Sequence, residues 1–188
     1  SVQVTTLGIE QRLQTVLDLL VEQLDPKAIV LRNDVPLRKL EGLPLETRVA
    51  FGEYEPPVTI DVDGLKYHID PMSGQKTGFF LDQRVNRRLL EGRVQGARVL
   101  DLFAYSGGWG LEALRHGAES CLFVDGSESA LSLARDNVDL NGFGERAQYH
   151  VEEVFAALPR MVDARERYDT VVLDPPALVK SRARLAEG

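Results

Sequence analysis

Asp101-Leu102-Phe103-Ala104-Tyr105-Ser106-Gly107-Gly108-Trp109-Gly110 decides how this chain folds. It closes a short apolar run over 98–103, which reads as a buried strand, and opens a helical pattern over 108–115. Gly107 and Gly108 allow backbone to approach a ligand closely at that helix start. A tight strand-to-helix turn needs glycine for its own geometry, however, so the turn alone names no ligand.

Downstream, strands and helices alternate. The pattern predicts strands over 98–103, 120–125, 148–151 and 170–173, with helices over 108–115, 129–140 and 154–161. Such repeats imply a parallel sheet with helices on both faces. Val99-Leu100 and Val171-Val172-Leu173 are apolar without alternation, as expected of strands covered on both sides. Upstream, Ile9, Leu13, Val16, Leu17, Leu20 and Leu24 fall at helical spacing until Asp25-Pro26. Strands are expected over 28–31, 48–55, 58–62 and 65–70, and Asp63-Gly64 signals a hairpin between the last two. A helix-like stretch over 82–91 follows. Residues 1–73 thus read as a small α+β module and 74–188 as a Rossmann-like domain, with the junction near Asp70-Pro71-Met72-Ser73-Gly74.

The 188 residues are 44% hydrophobic and 27% charged, enough for one sizeable core. No apolar run reaches the roughly 20 residues that cross a bilayer, so no membrane partner is expected. No secretory signal shows in the first residues, and the single cysteine excludes an internal disulfide; a cytoplasmic setting fits. A net charge of −7 argues against a strong grip on nucleic acid by this chain alone. Its basic residues are nonetheless 17 Arg against 5 Lys. Arg84, Arg87, Arg88, Arg93 and Arg98 lie close together, readable as an RNA-facing strip or as a solvated helix face. His68, His116 and His150 share no metal-ligand spacing.

Three carboxylates fall at predicted strand ends: Asp101, Asp125 and Asp174. Ligands of open parallel sheets bind beyond these carboxyl ends, near the point where strand order reverses. Asp125 stands 24 positions after Asp101, where an acid can accept hydrogen bonds from ribose hydroxyls. A dinucleotide site would need Gly-x-Gly-x-x-Gly to cradle pyrophosphate. Here Phe103 and Tyr105 fill positions expected to be small, and Asp101 would repel pyrophosphate while suiting a cationic amino-acid end. That points away from NAD. Asp174-Pro175-Pro176 holds its carboxylate in a rigid turn.

Taken in order, Asp101-Leu-Phe-Ala-Tyr-Ser-Gly-Gly, Asp125 and Asp174-Pro-Pro resemble the motifs of class I S-adenosylmethionine-dependent methyltransferases. The stretch from Gly74 through Phe79-Phe80 to Arg87 is similar to the segment preceding that fold in the ribosomal RNA large-subunit methyltransferases that make 5-methylcytosine. The resemblance implies a Rossmann-like α/β sheet and S-adenosyl-L-methionine as cofactor. Asp101, Phe103, Ala104 and Gly107 would form the methionine pocket. Asp125 would bind the ribose, with Ser127 nearby. Glu153 and Val154 match the position that recognises adenine. Lys76, Thr77, Phe79 and Phe80 would close over the cofactor, with Gln75 and Arg84 alongside, and Asp174 would sit at the target base of ribosomal RNA.

The chain departs from that family in three ways. No complete PUA-type RNA-binding domain shows in residues 1–70. The class I sheet has seven strands, whereas this one is expected to be truncated after the fourth, and the exposed edge of that strand would invite pairing into a dimer. Methylation of cytosine carbon 5 needs a thiolate that adds to the adjacent ring carbon. Ala177 stands where some such enzymes carry Cys, and Cys121 lies within a predicted buried strand, where cysteines are usually inert. The resemblance therefore implies a nucleophile beyond Gly188, with cofactor binding but no methyl transfer by this chain alone. Methylation of an exocyclic amine at Asp174, or a non-catalytic S-adenosylmethionine- or RNA-binding module, are the alternative readings.

Overall fold

A computed structural model describes residues 1–72, 74 and 79–176. They form two compact units, one of residues 1–60 and 69–81, the other of residues 61–68 with the chain from 82 onward.

In the first unit the expected single helix is two, α1 (Leu7–Glu10) and α2 (Leu13–Leu24). They part at Arg12, whose φ of −112° and ψ of 11° leave the helix while its guanidinium takes the Gly8 carbonyl at 3.0 Å. Strand β1 (Ala28–Asn33) pairs antiparallel with β2 (Glu46–Gly52). Leu17 of α2 packs on Ile29 and Leu31 of β1 to form this unit's core.

Strands β3 (Val58–Val62) and β4 (Leu65–Ile69) make the expected hairpin. Asp63 (φ 55°) and Gly64 (φ 84°) both take the left-handed conformation that a tight two-residue hairpin turn requires. The stretch 82–91 is not one helix. It is a 3-10 turn (Leu81–Gln83), a single α turn, α3 (Arg84–Arg87), and another 3-10 turn (Arg88–Leu90). Val85 and Leu89 stay exposed there, and so little apolar burial cannot hold a longer helix.

The second unit carries a four-stranded parallel sheet of β5 (Arg98–Leu102), β6 (Ser120–Asp125), β7 (Ala147–Val151) and β8 (Thr170–Leu173), in the order β7-β6-β5-β8. The connecting helices are α4 (Gly108–Arg115), α5 (Glu128–Leu140) and α6 (Val154–Asp163). The chain builds β5, β6 and β7 in one direction and then crosses back to set β8 on the other side of β5. The crevice where strand order reverses therefore lies between β5 and β8.

Leu100, Leu102 and Val124 pack against Val154, Ala157 and Met161 of α6. On the opposite face, Gly110 of α4 approaches Phe123 and Cys121 so closely that an added Cβ would lie 2.2 Å from the Phe123 ring. The sheet is thus covered on both faces at β5, where Val99, Leu100 and Leu102 are all buried. Strand β8 departs from the expectation: Val172 is buried, but Val171 and Leu173 are 55% and 62% exposed. They pair with Leu100 and Leu102 and so share the α6 face. Helix α6 covers β5 and β6 and leaves β8 open among the described residues.

Candidate cofactor site

The turn after β5 is held in an unusual backbone conformation. Phe103 (φ 60°), Tyr105 (φ 48°) and Gly107 (φ 78°) are all left-handed. For a non-glycine residue this costs about 1–2 kcal/mol, so surrounding bonds must enforce it. Ala104 N–H donates to the Val124 carbonyl (3.1 Å) and Gly107 N–H to the Ala104 carbonyl (2.8 Å). Tyr105 N–H donates to Asp125 Oδ2 (2.9 Å), and Asn137 Nδ2 donates to the Ser106 carbonyl (3.0 Å). Phe103 and Tyr105 occupy positions where glycine would be strain-free, which is why they look out of place in the sequence.

Asp101 is buried at the end of β5. Its Oδ2 accepts from Gly110 N–H at 2.8 Å, while Oδ1 is buried with no hydrogen-bond partner among the described residues. Burial pushes the carboxyl up to about 7; the Gly110 N–H and the Arg87 charge oppose this, and the Asp174 and Asp125 charges add to it. The Arg87 guanidinium lies against Gly108, where a Cβ would stand 2.5 Å from Arg87 Cζ. Gly108 therefore makes room for a side chain of the same unit.

Asp125 secures the neighbouring strand end. Besides Tyr105 N–H, it accepts from Ser127 N–H at 2.9 Å. Ser127 caps α5, its hydroxyl accepting from Ala130 N–H at 3.2 Å. Glu153 is exposed at the start of α6, and its Oε1 lies 2.5 Å from where a Gly126 Cβ would be. Val154 is buried in the α6 core cluster. Phe155, which the sequence did not single out, is 63% exposed and meets the Phe103 ring edge-on at 6.0 Å.

Asp174 follows β8, across the reversal point from Asp101. Its Oδ2 accepts from the indole Nε1 of Trp109 at 3.0 Å. Lys76, Thr77 and Gln75 lie outside the described residues, and Phe79 and Phe80 belong to the first unit. The arginines proposed as a strip are committed elsewhere. Arg84 and Arg88 both clasp Asp63 at the hairpin turn and hold its carboxyl well below the usual range. Arg93 donates to the Leu89 carbonyl and Arg98 lies over the Tyr168 ring. Cys121 is buried, and burial raises its thiol well above the ordinary value.

Residues 32–187 match the family model described as S-adenosylmethionine-dependent methyltransferase. The chain belongs to that family. Among its curated relatives, the "Ribosomal RNA large subunit methyltransferase I" of Aeromonas salmonicida is 38% identical over 97% of this chain and 47% of its own length. The protein of the same name from Photobacterium profundum is 43% identical over 89% of this chain and 44% of its own. The chain thus spans about half the length of the curated relatives it matches. A Streptococcus mutans protein described as a SAM-dependent methyltransferase shares its fold with a TM-score of 0.78 at 23% identity, over 93% of this chain and 45% of its own. A protein described as a methyltransferase and solved in complex with SAH aligns with a TM-score of 0.78 at 22% identity, over 92% and 44%.

The site fits the cofactor of its family. An open, buried carboxylate oxygen at Asp101 is costly unless a cation meets it, and S-adenosylmethionine, the cofactor of that family, carries an ammonium and a sulfonium. Among the described residues no group of three His, Cys, Asp or Glu could hold a metal ion, and no helix is long and apolar enough to cross a membrane.

Proposed function

We propose that this methyltransferase serves large-subunit ribosomal RNA, as its relatives' names indicate for them, that it does so in the cytoplasm, and that the target atom is carbon 5 of a cytosine. The observation that carries the site is the alignment of three carboxylates at neighbouring strand ends, Asp125, Asp101 and Asp174, with one buried Asp101 oxygen open. Asp101 Oδ1, with Phe103, Ala104 and Gly107, would hold the methionine moiety. Asp125 and Ser127 would take the ribose, and Glu153 and the Val154 main chain the adenine. The cofactor supplies an electrophilic methyl group on its sulfonium. Asp174, pinned by Trp109, would fix the target base by accepting from one of its donors.

Attack at carbon 5 also requires a thiolate. Cys121 is buried in β6 and burial keeps its thiol protonated, so that group must come from outside these 188 residues and the chain alone binds cofactor without transferring methyl. The same observation favours one second reading, methylation of an exocyclic amine held by Asp174, which needs no thiolate. The module expected over residues 1–73 is then residues 1–60 and 69–81, with 61–68 belonging to the cofactor unit, and β8, an edge strand among the described residues, invites a further strand or a second copy.

Calorimetric titration with S-adenosylmethionine and S-adenosylhomocysteine, on the chain and on Asp125→Ala, tests the site: binding weakened about tenfold or more in the variant supports it. Equal affinity would remove Asp125 from the ribose. Methyl transfer to ribosomal RNA by this chain alone would overturn the external thiolate and favour the amine.

A further inference from the structure

Asn137 is wholly buried in the last turn of α5, yet both ends of its amide are bonded outside the helix. Its Oδ1 accepts from His68 N–H on β4 at 2.7 Å. Its Nδ2 donates to the Ser106 carbonyl, inside the left-handed turn, at 3.0 Å. One helical turn later, Asn141 Oδ1 accepts from Lys66 N–H (3.0 Å) and its Nδ2 donates to the Lys66 carbonyl (2.7 Å). Residues four apart on a helix rise about 6 Å, and residues two apart on a strand about 6.8 Å. Strand residues two apart also turn their polar groups to the same side. The two amides therefore meet Lys66 and His68 as the backbone of an adjoining strand would. All these residues lie in the second unit.

The two asparagines differ at their other end. Asn141 Nδ2 also reaches back to the Asn137 carbonyl (2.7 Å), within its own helix, whereas Asn137 reaches the turn that carries Phe103, Ala104 and Gly107. We propose that Asn137 is a positioning residue for the cofactor: it holds the Ser106 carbonyl, and so the left-handed turn, using the β4 hairpin as its anchor. This rests on the reading that the turn receives the methionine moiety. Because coupling between two sites is reciprocal, ligand in the turn must in return tighten the bond from His68 N–H to Asn137.

The test titrates the whole chain with S-adenosylhomocysteine and measures its thermal unfolding in parallel. Asn137→Asp keeps the acceptor for His68 N–H but sets a carboxylate oxygen against the Ser106 carbonyl. It is expected to weaken binding about tenfold or more, whereas Asn141→Ala stays within about twofold although it unfolds earlier. Undiminished affinity in Asn137→Asp overturns the proposal, as does an equal loss in Asn141→Ala, which marks both as mere fastenings of the hairpin. Amide hydrogen exchange on the unaltered chain decides the matter even if Asn137→Asp does not fold. The ligand should slow exchange at His68, and protection confined to Tyr105 and Gly107 would overturn the coupling. Asp125→Ala separates the two levels: undiminished affinity there removes the site reading itself, whatever Asn137 does.

Discussion

Asp101 is shut away from water with one oxygen bonded and the other open, and its proton affinity follows from that. The folded chain raises this carboxyl to about 7, chiefly by burial, from the ordinary value of about 4. Between those two values the folded state holds a proton that the unfolded chain has released. Stability contributed by this group is therefore full at low pH, falls as pH rises through the window, and levels off above it. In Asp101→Asn, denaturant unfolding from about pH 4 to about pH 8 should lose that downward slope; an unchanged slope would assign it to another group. A cation against Oδ1 should also drive the proton off. Cofactor binding just below neutral pH should then release protons, seen as a binding heat that depends on the buffer's ionisation enthalpy. A second residue-scale expectation concerns Trp109, the chain's single tryptophan. Its lone indole N–H resonance should move in Asp174→Ala and stay in place in Asp125→Ala. Asp101, Asp125 and Asp174 were readable in the sequence because strand ends can be located from apolar runs. The Trp109 bond, the Asn137 bridge and the exposed Phe155 were not, since each depends on which elements meet in space.

At the scale of elements, the strongest local constraint is the approach of α4 to β6. Gly110→Ala would drive a methyl group into the Phe123 ring, and should cost about 2–3 kcal/mol, read as a lower urea midpoint with little change in its slope. Gly142, by contrast, has nothing within 4 Å of its missing Cβ, so substitution there meets only the strain of its positive φ. The helices and strands of the second unit were legible nearly to the residue, because apolar strands alternating with amphipathic helices leave a clear periodic record. Two elements were not. The 82–91 stretch has helical spacing, but Arg84 and Arg88 are drawn to Asp63, and of its apolar residues Val85 and Leu89 stay exposed while Leu90 alone is buried. Strand β8 reads as doubly covered because Val171, Val172 and Leu173 are all apolar; only the register against β5 shows which two face outward.

For the whole molecule, charge sets the expectation about RNA. With a net charge of −7, with Arg84, Arg88, Arg93 and Arg98 engaged within the chain and Arg87 buried, the clustered arginines offer little to displace counterions. The isolated chain should bind a ribosomal RNA fragment no tighter than about micromolar at roughly 0.15 M salt, measured by fluorescence anisotropy; nanomolar affinity would reveal a surface outside the arginines considered above. The central place of β5 has another consequence. Every residue assigned to the methionine pocket hangs from that one strand and the turn after it, with β6 on one flank and β8 on the other. Sequence grafted beyond either margin of the sheet leaves the frame of that pocket untouched. The same cofactor half could be inherited unaltered while the outer portions of a descendant diverged to recognise different targets.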